Sequence, residues 1–398
     1  MKRIILVLVM IAAAIPASAS SHAREAGKPV DTINEVPRRG RLALFKAQEK
    51  KNKGDYEGAA GILGEFIEKN PGDAHFLIYY NYGNALLRLE RPEEALGQYQ
   101  KAVGIEARFW QGWLNLGETA YNLERYQLAA EAIMSGYRQS PEKNPRLLYF
   151  AAVAYMMSGK TGEAKRNLEE LVFSDQPEPK MDWYRALLMA CIDLEDVQAG
   201  KRAVDRMLEI FPDSPESWKL AFQFAASNQD YRSAAIAMTV KGYLEPLERN
   251  EMMQLGSLYA VIEVPWTAST YYEEAVALEA GPEDFERLAS VYMAAHEPQK
   301  ALETLERALA KQPTAKLWSI LGDLYYMEED YDKSYEAFGN CYEMDSDSGR
   351  SLLMMGFCAL ELGRADSAVS HLKKAAGFPD YTKNANALLK RALQMQGG

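Results

Sequence analysis

The chain has 398 residues, 48% of them apolar and 25% charged; this composition excludes wholesale disorder, and the length exceeds what one compact core organises. Several domains or a repeat array are therefore expected. The net charge of −11 argues against nucleic acid as a partner, because that binding rests on cations neutralising phosphate.

In chain order the first segment is 1–19. Lys2 and Arg3 precede an apolar stretch from Ile4 to Ile15, and Ala17-Ser18-Ala19 offers small residues for cleavage. That is the pattern of a secretory signal peptide, too short to span a bilayer convincingly. No cysteine stands near the cut. The expected mature protein is exported, periplasmic, without a lipid anchor and not integral to the membrane. Residues 20–39 read as a flexible linker. Residues 20–53 are basic, nine Lys or Arg against four acids, which suits a solvated tail and first helix. Contact with an anionic membrane or wall polymer is the other reading.

From residue 40 onward the chain repeats itself. "WLNLGETAYNLERYQLAAEAI" at 113–133 shares a skeleton with "FERLASVYMAAHEPQKALETLERALAKQP" at 285–313 and with "WSILGDLYYMEEDYDKSYEAFGNCY" at 318–342. Aligning the small residues places unit starts near 40, 76, 110, 145, 181, 215, 249, 282, 315 and 349. Units thus fill 40–382, and a last amphipathic segment covers 383–398. The skeleton resembles the tetratricopeptide repeat, Trp-x-x-Leu-Gly-x-x-Tyr followed by Ala-x-x-x-Phe and Pro. The resemblance implies an all-α fold, a right-handed superhelical solenoid of about ten antiparallel helix pairs with a C-terminal capping helix.

Within each pair, small residues are expected where the two helices cross. They are Gly83 with Ala95, Gly117 with Ala129, Ala152 with Ala164, Gly256 with Ala268, Ala289 with Ala301, Gly322 with Ser334, and Gly356 with Ala368. Gly159 and Gly363 fall where first helices should stop. Pro92, Pro265 and Pro298 suit the first turn of second helices. Leu188 in the fifth unit and Phe222 in the sixth are large where a small residue is expected. That leaves the register of 181–245 open.

Chemistry-bearing patterns are missing. His22, His75, His296 and His371 have no metal-ligand spacing, and no phosphate loop or nucleophile elbow appears. Acidic pairs such as Glu93-Glu94 and Glu273-Glu274 suit helix starts or outer faces. Neither catalytic residues nor a metal nor a cofactor is expected, hence no enzyme. Cys191, Cys341 and Cys358 are too scattered for a disulfide framework. They read as buried thiols, with a Cys341–Cys358 bridge left open.

Function is expected on the concave face. The family resemblance implies that Tyr80, Asn84, Leu87 and Arg88 of the second unit line a groove. Leu114, Glu118 and Tyr121 of the third unit, and Arg146, Tyr149, Val153, Met156 and Met157 of the fourth, line it too. Asn115 enters through a second resemblance: Asn84, Asn115 and Arg146 match three positions of a subclass that clamps a terminal carboxylate. Tyr80 and Phe150 stand where that pattern wants basic residues, which argues against the clamp.

The mixture of aromatics, methionines, amides and guanidinium groups suits an extended or helical peptide. The expected function is a non-catalytic adaptor that holds a segment of an envelope protein. The alternative is a glycan- or peptidoglycan-binding module, with the groove tyrosines stacking on sugars. Residues 250–380, including "VIEVPWTASTYYEEAV" and "LGRADSAVSHLKKA", are similar to exported tetratricopeptide proteins associated with Ton-type energy-transducing systems. That likeness implies partners among motor and periplasm-spanning proteins.

Overall fold

The computed structural model describes residues 36–72, 74–175 and 178–396. The expected leader at 1–19 and nearly all of the expected 20–39 linker lie outside the described residues. Among the described residues all regular structure is helical, twenty-one helices in ten pairs plus one.

The chain forms two compact units, one ending at Ile210 and the other beginning at Phe211. The first unit holds five pairs: α1 (Arg38–Asn52) with α2 (Tyr56–Lys69), α3 (Phe76–Arg88) with α4 (Pro92–Ile105), α5 (Trp110–Asn122) with α6 (Tyr126–Gln139), α7 (Pro145–Met157) with α8 (Thr161–Phe173), and α9 (Met181–Asp193) with α10 (Val197–Ile210). The second unit holds α11 (Pro215–Ser227) with α12 (Tyr231–Leu244), α13 (Arg249–Val261) with α14 (Pro265–Leu278), α15 (Pro282–Ala294) with α16 (Pro298–Lys311), α17 (Ala315–Met327) with α18 (Tyr331–Met344), and α19 (Gly349–Glu361) with α20 (Ala365–Ala375). The final helix, α21 (Thr382–Gln396), packs on α20 and α19.

Each pair is made by the same turn. In the second pair the N–H of Arg91 donates to the Leu86 carbonyl at 3.0 Å and that of Glu90 to Leu87 at 3.1 Å. This is a Schellman closure, and it needs a left-handed residue between the helices. Among the described residues, positive φ falls at 54, 90, 124, 159, 195, 229, 263, 296, 329 and 363, one per pair and 33 to 36 residues apart. Only Gly54, Gly159 and Gly363 are glycines there; five are Glu, with Gln229 and His296. Second helices then start on a side-chain cap, as at Asp55, Asp230 and Asp330, or on a proline at the first turn, as at Pro92, Pro265 and Pro298.

The crossing residues are buried as their size demands. Ala95, Ala129, Ala152, Ala164, Ala268, Ala289, Ala301 and Ala368 are fully inaccessible, and Gly83, Gly117, Gly256, Gly322 and Gly356 are buried with them. At Gly117 an added Cβ would fall 2.6 Å from Cγ1 of Ile133 and 3.2 Å from the Ala129 carbonyl oxygen. The occupant of the glycine's space is therefore a large side chain of the second helix. Ala129 lets that helix come close. Tyr99, Tyr272, Phe338 and Leu372 fill the same role at Gly83, Gly256, Gly322 and Gly356.

The fifth and sixth pairs keep the same turn and shift the bulk. Leu188 is buried in α9, and the buried residues of α10 include Ala199, Gly200 and Ala203. Phe222 packs on Ala235, Met238 and Leu255, and α12 also buries Ala234 and Ala237. In both pairs a large first-helix residue stands with small buried residues in the second helix. The three cysteines are buried free thiols, with Ser351 donating to Cys341 at 3.1 Å and Cys358 donating to Ser334 at 3.3 Å.

Candidate functional site

The groove residues expected in the second, third and fourth repeats all sit on α3, α5 and α7, within the first unit. The structure joins three of them in one network. Asn115 donates from Nδ2 to Oδ1 of Asn84 at 3.0 Å and to the Tyr80 hydroxyl at 3.2 Å. The Tyr99 hydroxyl donates to the same Asn84 oxygen at 2.7 Å. Tyr80 packs edge-on against Phe109 at 4.9 Å and tilted against Tyr99 at 5.9 Å. Burial raises both phenols above their ordinary range.

This network engages the two amides that matched a carboxylate clamp. Both hydrogens of the Asn115 amide already have acceptors, and Tyr80 occupies the place of a base. Arg146 stands apart at the start of α7, exposed, with only its backbone N–H bonded, to Asn144. No carboxylate clamp is assembled from these residues.

The remaining residues divide by exposure. Leu114 leans on Gly136 of its own pair, where an added Cβ would lie 2.5 Å from it. Val153 is buried within the α7 layer. Tyr121, Tyr149 and Met156 are half-buried, and Arg88 is exposed, its guanidinium 6.0 Å from the Tyr56 ring centre. Tyr121 meets Tyr126 edge-on at 5.4 Å, and Tyr149 lies 6.1 Å from Phe150. Burial and the Asp182 charge push the Tyr149 phenol up to about 12. Leu87 is 37% exposed, Met157 39% and Ile192 of α9 38%. Each of these first helices thus keeps an apolar side chain open near its C-terminal end.

Glu118 differs from its neighbours. It is half-buried on α5, one turn beyond Asn115, and makes no hydrogen bond or ion pair with any described residue. Burial alone raises its carboxyl above the usual carboxylate range, and its charge is felt by the Tyr80 and Tyr99 phenols. Repeat position marks Glu118 as a groove residue but does not mark Tyr99. The signal for Tyr99 was its place sixteen residues beyond Gly83, the position that fills the glycine's space.

The second unit has its own aromatic group, in which Tyr326 meets Phe357 edge-on at 5.3 Å and lies 6.0 Å from Tyr331. Met327 beside it is 58% exposed. Arg350 is engaged there, with Asp323 at 2.6 Å and Ser319 at 2.9 Å, and Leu360 is buried. Among the described residues no group of three His, Cys, Asp or Glu is placed to hold a metal, and no helix is long and apolar enough to cross a membrane.

Comparison with known proteins gives one family: the tetratricopeptide repeat matches residues 46–110, 83–145 and 286–340. The chain is similar to tetratricopeptide repeat protein 13 of Homo sapiens, 29% identical over 94 residues, which is 24% of this chain and 11% of the human protein. It is also similar to the protein O-mannosyl-transferase Tmtc3 of Drosophila melanogaster, 35% identical over 77 residues, or 19% of this chain and 8% of the fly protein. The chain therefore spans about a tenth of the length of these relatives. Among solved structures, a tetratricopeptide repeat protein from Parabacteroides merdae is 13% identical with a TM-score of 0.30, covering 81% of this chain and 99% of that one.

Proposed function

We propose that this chain, which carries tetratricopeptide repeats, is a non-catalytic scaffold that holds a peptide segment of a partner protein. The segment lies on the first-helix face of repeats two to four. Repeat arrays of this kind present extended surfaces for binding other chains. The observation that carries the reading is the apolar set Leu87, Tyr121 and Met157, which packing leaves at least partly open. Spaced along one face, these side chains offer anchors for alternate residues of an extended segment. Arg88, Asn122 and Arg146 at the edges, all exposed, offer hydrogen bonds to its backbone.

The setting we propose is the periplasm, on the support of the leader pattern at residues 1–19, with an envelope protein as partner. The likeness of residues 250–380 to Ton-associated proteins supports placement in such a transport assembly. A glycan is the competing occupant. It is disfavoured by the Tyr80 hydroxyl and both Asn115 hydrogens being engaged within the protein, which takes these groups from a sugar. In-cell crosslinking with mass spectrometry tests the reading, comparing wild type with Tyr121→Ala plus Met157→Ala.

A further inference from the structure

We infer that the first-helix face of repeats two to four recognises a positively charged side chain, a lysine or arginine of the bound segment, with Glu118 as its counter-ion. This rests on the peptide-binding reading and adds the chemistry that the peptide must carry.

Glu118 sits where a carboxylate is costly to leave alone. Asn115 already donates to Asn84 and to the Tyr80 hydroxyl, so no amide hydrogen of Asn115 is left to donate to Glu118. No cation acts on it either, since burial is the one influence on its carboxyl. Other shielded acids are partnered: Glu251 by Lys241 at 2.8 Å, Asp323 by Arg350 at 2.6 Å, and Asp284 by Arg249. A partly desolvated charge without a partner is unfavourable until a ligand supplies one. Tyr121, three residues further along the same helix, and Tyr149, close enough for the two phenols to influence each other, add ring faces that attract a cation. An acidic side chain at the same place would meet like charge, so the site discriminates as well as attracts.

The probe is a library of dodecapeptides with acetylated and amidated ends and lysine, arginine, glutamate or norleucine fixed at the centre. The full-length protein is expected to capture the lysine and arginine pools about tenfold better than the other two, and Glu118→Gln to reduce that advantage to about twofold or less. Met157→Ala is expected to weaken capture of all four pools. Equal capture of the lysine and norleucine pools, or a lysine preference that survives in Glu118→Gln, overturns the inference and leaves the peptide reading standing. Capture of no pool overturns both. The melting temperature of free Glu118→Gln is expected at or above that of wild type, because an unpaired shielded charge is removed. A clear fall would show that Glu118 serves the fold and would overturn the inference too.

Discussion

Gly117→Ala would set a methyl 2.6 Å from Cγ1 of Ile133 and 3.2 Å from the backbone oxygen of Ala129. The cost expected of such overpacking is about 1–3 kcal/mol, measured as a lower urea midpoint. Gly97→Ala on α4 has nothing within 4 Å of the new methyl, so helix propensity decides and a gain of about 1 kcal/mol is expected. The two glycines look alike in the sequence; only the residue facing each separates them. His371 gives a pH prediction at the same scale. Its Nε2 lies 2.8 Å from the Tyr335 hydroxyl, and burial, helped by the Lys374 charge, lowers its pKa. The folded state then takes the proton at lower pH than the unfolded chain. His371 therefore costs no stability above about pH 6.5 and progressively more as pH falls below it, until it protonates in the folded state too. His371→Asn should flatten that part of the stability profile, read by denaturation from about pH 7.5 to about pH 5, a range that brackets the unperturbed histidine value. A slope unchanged by the substitution would assign the effect to other groups. Glu118 was visible in the sequence as a groove position. Its isolation was not, because it depends on bonds between Asn115 and residues 31 and 35 positions away.

At the scale of the helix pair, the recurring device is the left-handed turn residue. The sequence marks it with glycine at Gly54, Gly159 and Gly363, and conceals it at Glu90, Glu124, Glu195, Glu263 and Glu329. In those turns the Schellman bonds hold a side-chain-bearing residue at positive φ, against a preference of roughly 1–2 kcal/mol per residue. Glu124→Gly is expected to stabilise the third pair by about 1 kcal/mol, and Gly159→Ala to destabilise the fourth by a similar amount. Urea midpoints of the two variants check both signs. Equal and opposite results would fix the turn as the element's main constraint; no change at either would shift that role to the helix crossing. Leu188 and Phe222 show the other limit of local reading. A small residue at the first-helix crossing is one solution, and a large one standing with small buried residues of the second helix is another.

Across the whole molecule, the fold class was legible because one skeleton recurs along the chain, so each repeat corroborates the next. The candidate face was legible only in outline. Repeat position named residues such as Tyr121 and Met157, but it could not tell open side chains from engaged ones. Tyr80, Asn84 and Asn115 are tied into a network, Leu114 supports Gly136, and Val153 is buried. What remains open on the first unit is a set of apolar side chains with one shielded, unpaired carboxylate. We propose that this face holds a peptide segment of a partner. The most direct measurement is in-cell crosslinking with mass spectrometry on wild type and on Tyr121→Ala plus Met157→Ala, with the variant's melting curve taken alongside. Wild type is expected to give partner peptides crosslinked to α3, α5 and α7, and a folded double variant to lose them. A folded double variant that retains every partner would contradict the proposal.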